Sequence, residues 1–163
     1  MRPVELGERG VELAGCAKNA AALAAAAASA AGPNAAGAAA GKVFAEVDAY
    51  ARRAGSQPET FAGLAGTGDL VATVLASGSR NRRAGEMLAA GMPAGDIERA
   101  LGQTAEAVES VPLLAARVRQ AGVEAPVLGG LAGMIEGRVE PQRWTASLTA
   151  PRPKAAARKA RAA

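Results

Sequence analysis

The chain of 163 residues contains no histidine and a single cysteine, Cys16. Without histidine, Ser–His and Cys–His nucleophilic catalysis are excluded, as are the usual zinc sites built from His and several Cys. No metal is expected, and a lone cysteine forms no intrachain disulfide. Aromatic residues are scarce as well: one tryptophan, one tyrosine and two phenylalanines. The core must therefore come from close contact between helices with small side chains, not from large rings. Alternating runs of β-branched residues are lacking too, so an all-α bundle is expected. Any chemistry has to come from Lys, Arg, Asp, Glu, Asn or backbone groups.

What is present is alanine, mixed charge with a net +4, and enough apolar sequence, half of all residues, for one globular domain. Residues 11–31 read as one strong helix former stopped by Gly32-Pro33. Asn34 is expected to cap a second helix with an apolar face of Val43, Phe44, Val47, Tyr50 and Ala51, ended by Gly55. Gly37 and Gly41, one turn apart on it, are expected to admit a neighbouring helix closely. Pro58-Glu59 opens a short helix, and further helices are expected over 79–91, 93–102, 112–122, 127–137 and 141–148, with proline starts or glycine stops. The expected division is a lead-in at 1–10, a helical domain at 11–149 and a basic, disordered tail at 150–163. That tail has no interleaved aromatics, so nucleic acid is not the expected partner. Leu13-Ala14-Gly15-Cys16 has the local form of a lipoprotein cleavage box, but Arg2, Glu5, Glu8, Arg9 and Glu12 occupy the stretch where an apolar segment should precede it. The alanine run at 20–31 is short for a membrane span, so a cytoplasmic location is expected and Cys16 reads as a packing residue.

Three places carry polar groups that packing alone does not call for. In S-G-S-R-N-R-R, Ser79 stands at a helix N-cap, which puts Arg80, Arg82 and Arg83 at the positive end of the helix dipole. A bound anion would balance them; pairing with acids such as Glu86, or solvation, would serve equally for Arg82 and Arg83. In G-L-A-G-T-G-D-L the spacing fails for a dinucleotide loop, since Val71 stands where the third glycine is needed and no strand precedes. A tight turn accounts for the glycines, and capping of the next helix would account for Asp69. Lys18, with Asn19 beside it, interrupts a long run of small apolar residues. It is either the exposed stripe of a buried helix or a shielded lysine that gives up its proton readily enough for acid–base work.

V-E-L-A-G-C-A-K-N, P-E-T-F-A-G-L-A-G-T-G-D-L, S-R-N-R-R-A-G and G-Q-T-A-E-A-V, in this order and spacing, resemble the C-terminal substrate domain of bacterial NAD(P)-dependent glycerol-3-phosphate dehydrogenase over about residues 9 to 149. The resemblance implies an all-α fold, NAD or NADP as cofactor, a small phosphorylated triose or glycerol substrate, a homodimer, and a place in glycerophospholipid synthesis. It implies that Lys18 is the catalytic proton donor and acceptor, that Asp69 orients it and the substrate, and that both also bind substrate. Ser79, Arg80 and Asn81 match substrate-binding positions, while Arg80, Thr104 and Glu106 match cofactor contacts. Thr67 departs from the family pattern, standing where leucine is usual, and V-A-T-V-L-A-S-G replaces a more polar segment. The family's dinucleotide-binding domain would lie before Met1. A helical module without catalysis, used for oligomerisation or phosphoester binding, is the alternative.

Overall fold

A stretch made of eight alanines and one leucine, residues 20–28, has no polar stripe on any side, and such a helix has to be surrounded. The computed structural model, which describes residues 3–76 and 78–149, places it at the centre of a helical bundle. Helix α1 spans Pro3–Ala28, and every residue from Ala20 to Ala28 is buried. Among the described residues it is already helical at Pro3, well before Val11, where the sequence-based reading started it. Around it pack α2 (Pro33–Arg53), α3 (Pro58–Ala62), α4 (Asp69–Leu75), α5 (Arg80–Ala89), α7 (Glu106–Gln120) and α9 (Pro141–Thr149). Helix α6 (Ala94–Leu101) packs on α5, and α8 (Pro126–Ile135) packs on α2, α7 and α9. Among the described residues there is no strand, so the expected all-α class holds. No single helix among them is long and apolar enough to cross a membrane. The tail expected at 150–163 lies outside the described residues.

An alanine helix buries little apolar area per residue, so its partners must come close to gain enough contact. Gly85 on α5 makes this possible, since a Cβ there would lie 2.3 Å from the Leu23 carbonyl oxygen and 2.9 Å from the Ala26 Cβ. Gly37 and Gly41, where a close approach was expected, are instead exposed with open space beyond them. On α2 the buried face is Ala35, Ala39, Val43, Val47 and Ala51, with Phe44 and Tyr50 half-buried at its edge. Trp144 on α9, the largest fully buried side chain, donates its indole N–H to the Val127 carbonyl at 3.1 Å. Gly130 leaves room for that ring, because a Cβ there would sit 2.7 Å from its Cδ1.

Two helices borrow their N-terminal caps from elsewhere, and this is where the sequence-based expectations fail. Helix α7 was expected to start at Pro112, yet it starts at Glu106 and carries Pro112 inside. Its own N-cap, Ala105, has no side chain able to accept a hydrogen bond; the buried Asn81 of α5 does so instead, taking the Ala107 N–H on Oδ1 at 3.0 Å. Helix α8 begins Ala-Pro-Val, again with no capping side chain of its own. There the buried carboxylate of Glu46 accepts from the Val127 and Leu128 N–H groups at 3.1 and 2.8 Å. Asn34 is no cap either: α2 starts one residue earlier at Pro33, with Gly32 at φ 100° in front of it.

Candidate functional site

The loop after α3 is built to deliver one carboxylate. Leu64–Gly68 forms a single π-turn that folds back on α3, and Thr67 donates its hydroxyl to the Phe61 carbonyl at 2.9 Å. A Cβ at Gly66 would lie 2.2 Å from that same carbonyl oxygen, so the turn closes only on glycine. Thr67, which departs from the family's leucine, thus anchors the turn through its hydroxyl. Asp69 follows as the first residue of α4. It does not cap that helix; Gly68 stands at the N-cap with no side-chain bond. The Asp69 carboxylate instead accepts a hydrogen bond from Lys18 Nζ, and the two form an ion pair between α1 and α4. The side chains are 23% and 45% exposed, which limits the pair's contribution to stability to about 1 kcal/mol or less.

Asn19, one residue on, leaves α1 in a direction about 100° away and meets a different neighbour. Its Nδ2 donates to Oε2 of Glu106, the first residue of α7, at 3.2 Å. The other oxygen of Glu106 lies 3.9 Å from a guanidinium nitrogen of Arg80, the first residue of α5. Lys18–Asp69 and Asn19–Glu106–Arg80 therefore join α1 to α4, α7 and α5 through adjacent residues of the central helix. Asn19 was not among the expected site residues; its position next to Lys18 in an otherwise apolar run was the signal.

The remaining expected residues divide. Ser79 caps α5, its hydroxyl accepting the Arg82 N–H at 3.4 Å. Asn81 is turned inward, with its amide oxygen committed to Ala107. Arg82 pairs with Glu86 one turn along at 3.1 Å, one of the two outcomes expected for it. Thr104 stands apart from the group: its hydroxyl donates to Glu98 at 2.7 Å, and it lines a groove with Ile97, Ala105 and Val108. A larger groove between α7 and α8, about 450 Å³ and lined by Pro112, Arg119, Gly129 and Arg138 among others, contains none of the expected residues. The Lys18–Asp69 corner is an open surface flanked by apolar side chains without partners. Leu64 is 86% exposed, Leu75 75% and Val71 52%, and α4 buries no residue.

Cys16 lies one turn before Asn19 on α1 and is half-buried. Burial, and then the carboxylates of Glu12 and Glu106, push its thiol above the ordinary range, so it is a protonated packing group. Its alkylation by iodoacetamide at pH 8 should be at least about tenfold slower in the folded chain than in urea. Because the folded thiol keeps its proton to higher pH than the unfolded one, the associated stability is complete below the unfolded value. It declines as pH rises through the folded value. An unfolding midpoint in urea that falls from pH 8 to pH 10 in the parent, and less in Cys16→Ala, would show that sign.

These features define a class: an all-helical domain in which one end of a glycine-ordered turn and the starts of two helices gather polar groups against a buried central helix. Residues 8–146 match the family model described as NAD-dependent glycerol-3-phosphate dehydrogenase C-terminus, and the chain belongs to that family. It is 38% identical over 142 residues to glycerol-3-phosphate dehydrogenase [NAD(P)+] of Variovorax paradoxus (strain S110), covering 86% of this chain and 42% of the relative. With the enzyme of the same name from Anaeromyxobacter sp. (strain K) it shares 37% over 150 residues, covering 90% of this chain and 45% of that one. The crystal structure of glycerol-3-phosphate dehydrogenase (gpsA) from Coxiella burnetii superposes with a TM-score of 0.78 at 31% identity. That match covers 85% of this chain and 43% of the other. The chain thus spans under half the length of the relatives it matches.

Proposed function

We propose that these residues form the substrate side of an NAD(P)-dependent glycerol-3-phosphate dehydrogenase, interconverting dihydroxyacetone phosphate and sn-glycerol 3-phosphate for glycerophospholipid synthesis. The observation that carries the reading is the Lys18–Asp69 pair, held by a loop that closes only on glycine, with the next residue of α1, Asn19, linked through Glu106 to Arg80 at the start of α5. In the reducing direction the carbonyl carbon C2 gains a hydride while its oxygen gains a proton. Lys18 Nζ supplies that proton and takes it back in the reverse reaction. Asp69 fixes the ammonium in place. Arg80, with Asn81 Nδ2 and the backbone N–H groups at the start of α5, holds the phosphate; an arginine fork and a helix N-terminus both suit that anion.

The dinucleotide, when bound, supplies or accepts the hydride. The residues present fit only its edge. Arg80 and Glu106 offer a cation and an acceptor at the surface, Thr104 faces Glu98, and the glycine loop is a π-turn between helices without a preceding strand. The grip on the pyrophosphate belongs to the family's Rossmann domain. Exposed Leu64, Val71 and Leu75 beside Asp69 suit a surface against which such a domain packs.

Arg80→Ala should weaken binding of sn-glycerol 3-phosphate by roughly 1.5–3 kcal/mol, the scale of a charged hydrogen bond. Arg82→Ala, which removes a solvent-exposed pair with Glu86, should change it by less than about 0.5 kcal/mol. Titration calorimetry on both variants decides; equal losses would reduce the helix start to a general basic surface.

A further inference from the structure

We infer that Glu106 is a built-in occupant of the anion site, a carboxylate that must swing away before a phosphoester can bind. This rests on the reading of Arg80 as the phosphate holder. Glu106 places its two oxygens toward two different donors, Asn19 Nδ2 at 3.2 Å and Arg80 at 3.9 Å. Those donors belong to α1 and α5, and a carboxylate from the start of α7 is what joins them. This is the arrangement that an oxyanion of a ligand would make with the same groups.

Three observations give the carboxylate the character of a removable plug. Its side chain is 64% exposed, so turning it outward costs little burial. The Arg80 contact, at 3.9 Å, is a loose ion pair and not a hydrogen bond, so little direct bonding is lost on release. The start of α7 does not depend on it, because the Ala107 N–H is already taken by Asn81. Its charge is nevertheless felt on α1, where it contributes to raising the Cys16 thiol. An incoming anion meets that same field.

Any anion that enters has to displace this carboxylate, so the cost of opening is common to all of them. A phosphomonoester brings close to two charges at neutral pH and three oxygens, and out-competes the resident group. Opening also removes the repulsion between Glu106 and the ligand, so the net penalty is modest and the site remains usable.

The test uses the chain with sn-glycerol 3-phosphate and glycerate as probes, titrated by calorimetry or amide NMR, with circular dichroism as a check on folding. Glu106→Ala should bind sn-glycerol 3-phosphate about three- to tenfold more tightly than the parent, and glycerate by a similar factor, because the displacement cost is common to both. Glu106→Gln, which keeps a hydrogen-bond acceptor for Asn19 but loses the charge, should fall in between. Arg80→Ala in the Glu106→Ala background should abolish the gain. Unchanged or weaker phosphoester binding by Glu106→Ala, with Arg80→Ala still damaging in the parent, would overturn the plug and leave the phosphate site standing. If Arg80→Ala has no effect in either background, both the plug and the phosphate site fail.

Discussion

Replacing Glu46 by alanine should lower the unfolding free energy by about 2–4 kcal/mol, more than loss of any surface ion pair in this chain. The carboxylate is buried and receives two backbone N–H groups at the start of α8. Hydrogen bonds to a charged acceptor contribute about 1.5–3 kcal/mol each, and alanine would leave both donors inside the protein where water does not reach them easily. The helix dipole adds to the loss, since a negative charge at that end is stabilising. For a domain of this size the melting temperature should fall by roughly 5–15 °C. Glu46→Gln, with one accepting oxygen in place of two, should lose less. Glu86→Ala, which breaks an exposed pair with Arg82, should stay within about 0.5 kcal/mol. Urea titrations of the three variants measure this directly, and a Glu46→Ala value near that of Glu86→Ala would show that α8 is capped by other means.

Glu46 also marks the limit of what could be read in the sequence. The apolar face of α2 was visible because Val43, Val47 and Ala51 recur at helical spacing, and the positions of the glycine stops were visible for local reasons. Gly55, Gly91, Gly102, Gly122 and Gly137 do adopt positive φ. Glu46 lies on the edge of that apolar face, where a charged residue ordinarily reads as solvated. Its role depends on Val127, 81 residues away, and no local rule supplies that distance. The same applies to α7: with Asn81 unseen as its cap, Pro112 was the start signal in view, and residues 106–111 of the helix were missed. Asn81 shows how one residue type can support two readings, since its oxygen serves the fold while its position beside Arg80 suggested ligand binding. Of the candidate site, the motifs named residues whose roles remain a proposal, and the structure brings only some of them together. Lys18 and Asp69 do meet, and Glu106 reaches Arg80, but Thr104 turns away to Glu98 and Asn19 enters unannounced. Glycines were read correctly as punctuation but incorrectly as contact points. Gly37 and Gly41 match a close-packing spacing and face open space, whereas Gly85, which has no such partner in sequence, carries the tightest contact with α1.

The second large effect concerns the proton. Lys18→Ala should reduce turnover by at least about a hundredfold, the usual scale for losing a positioned acid–base group. Among the described residues the Lys18 ammonium is the proton donor paired with Asp69, and its removal leaves the fold intact because the pair stabilises it by only about 1 kcal/mol or less. Asp69→Asn, which keeps the shape and loses the charge that holds the lysine, should fall between the parent and Lys18→Ala. The reaction also needs the nicotinamide held against C2, and most of the rate gain from positioning depends on that. The experiment is therefore made on residues 1–163 joined to the part of the Variovorax relative that this chain does not cover. Oxidation of NADH or NADPH is followed at about 340 nm with dihydroxyacetone phosphate as substrate, while residues 1–163 alone are expected to show no turnover. Turnover by the joined protein that Lys18→Ala removes, with folding unchanged by circular dichroism, is the predicted result; turnover that survives Lys18→Ala within a few-fold would contradict the assignment of the proton to this lysine.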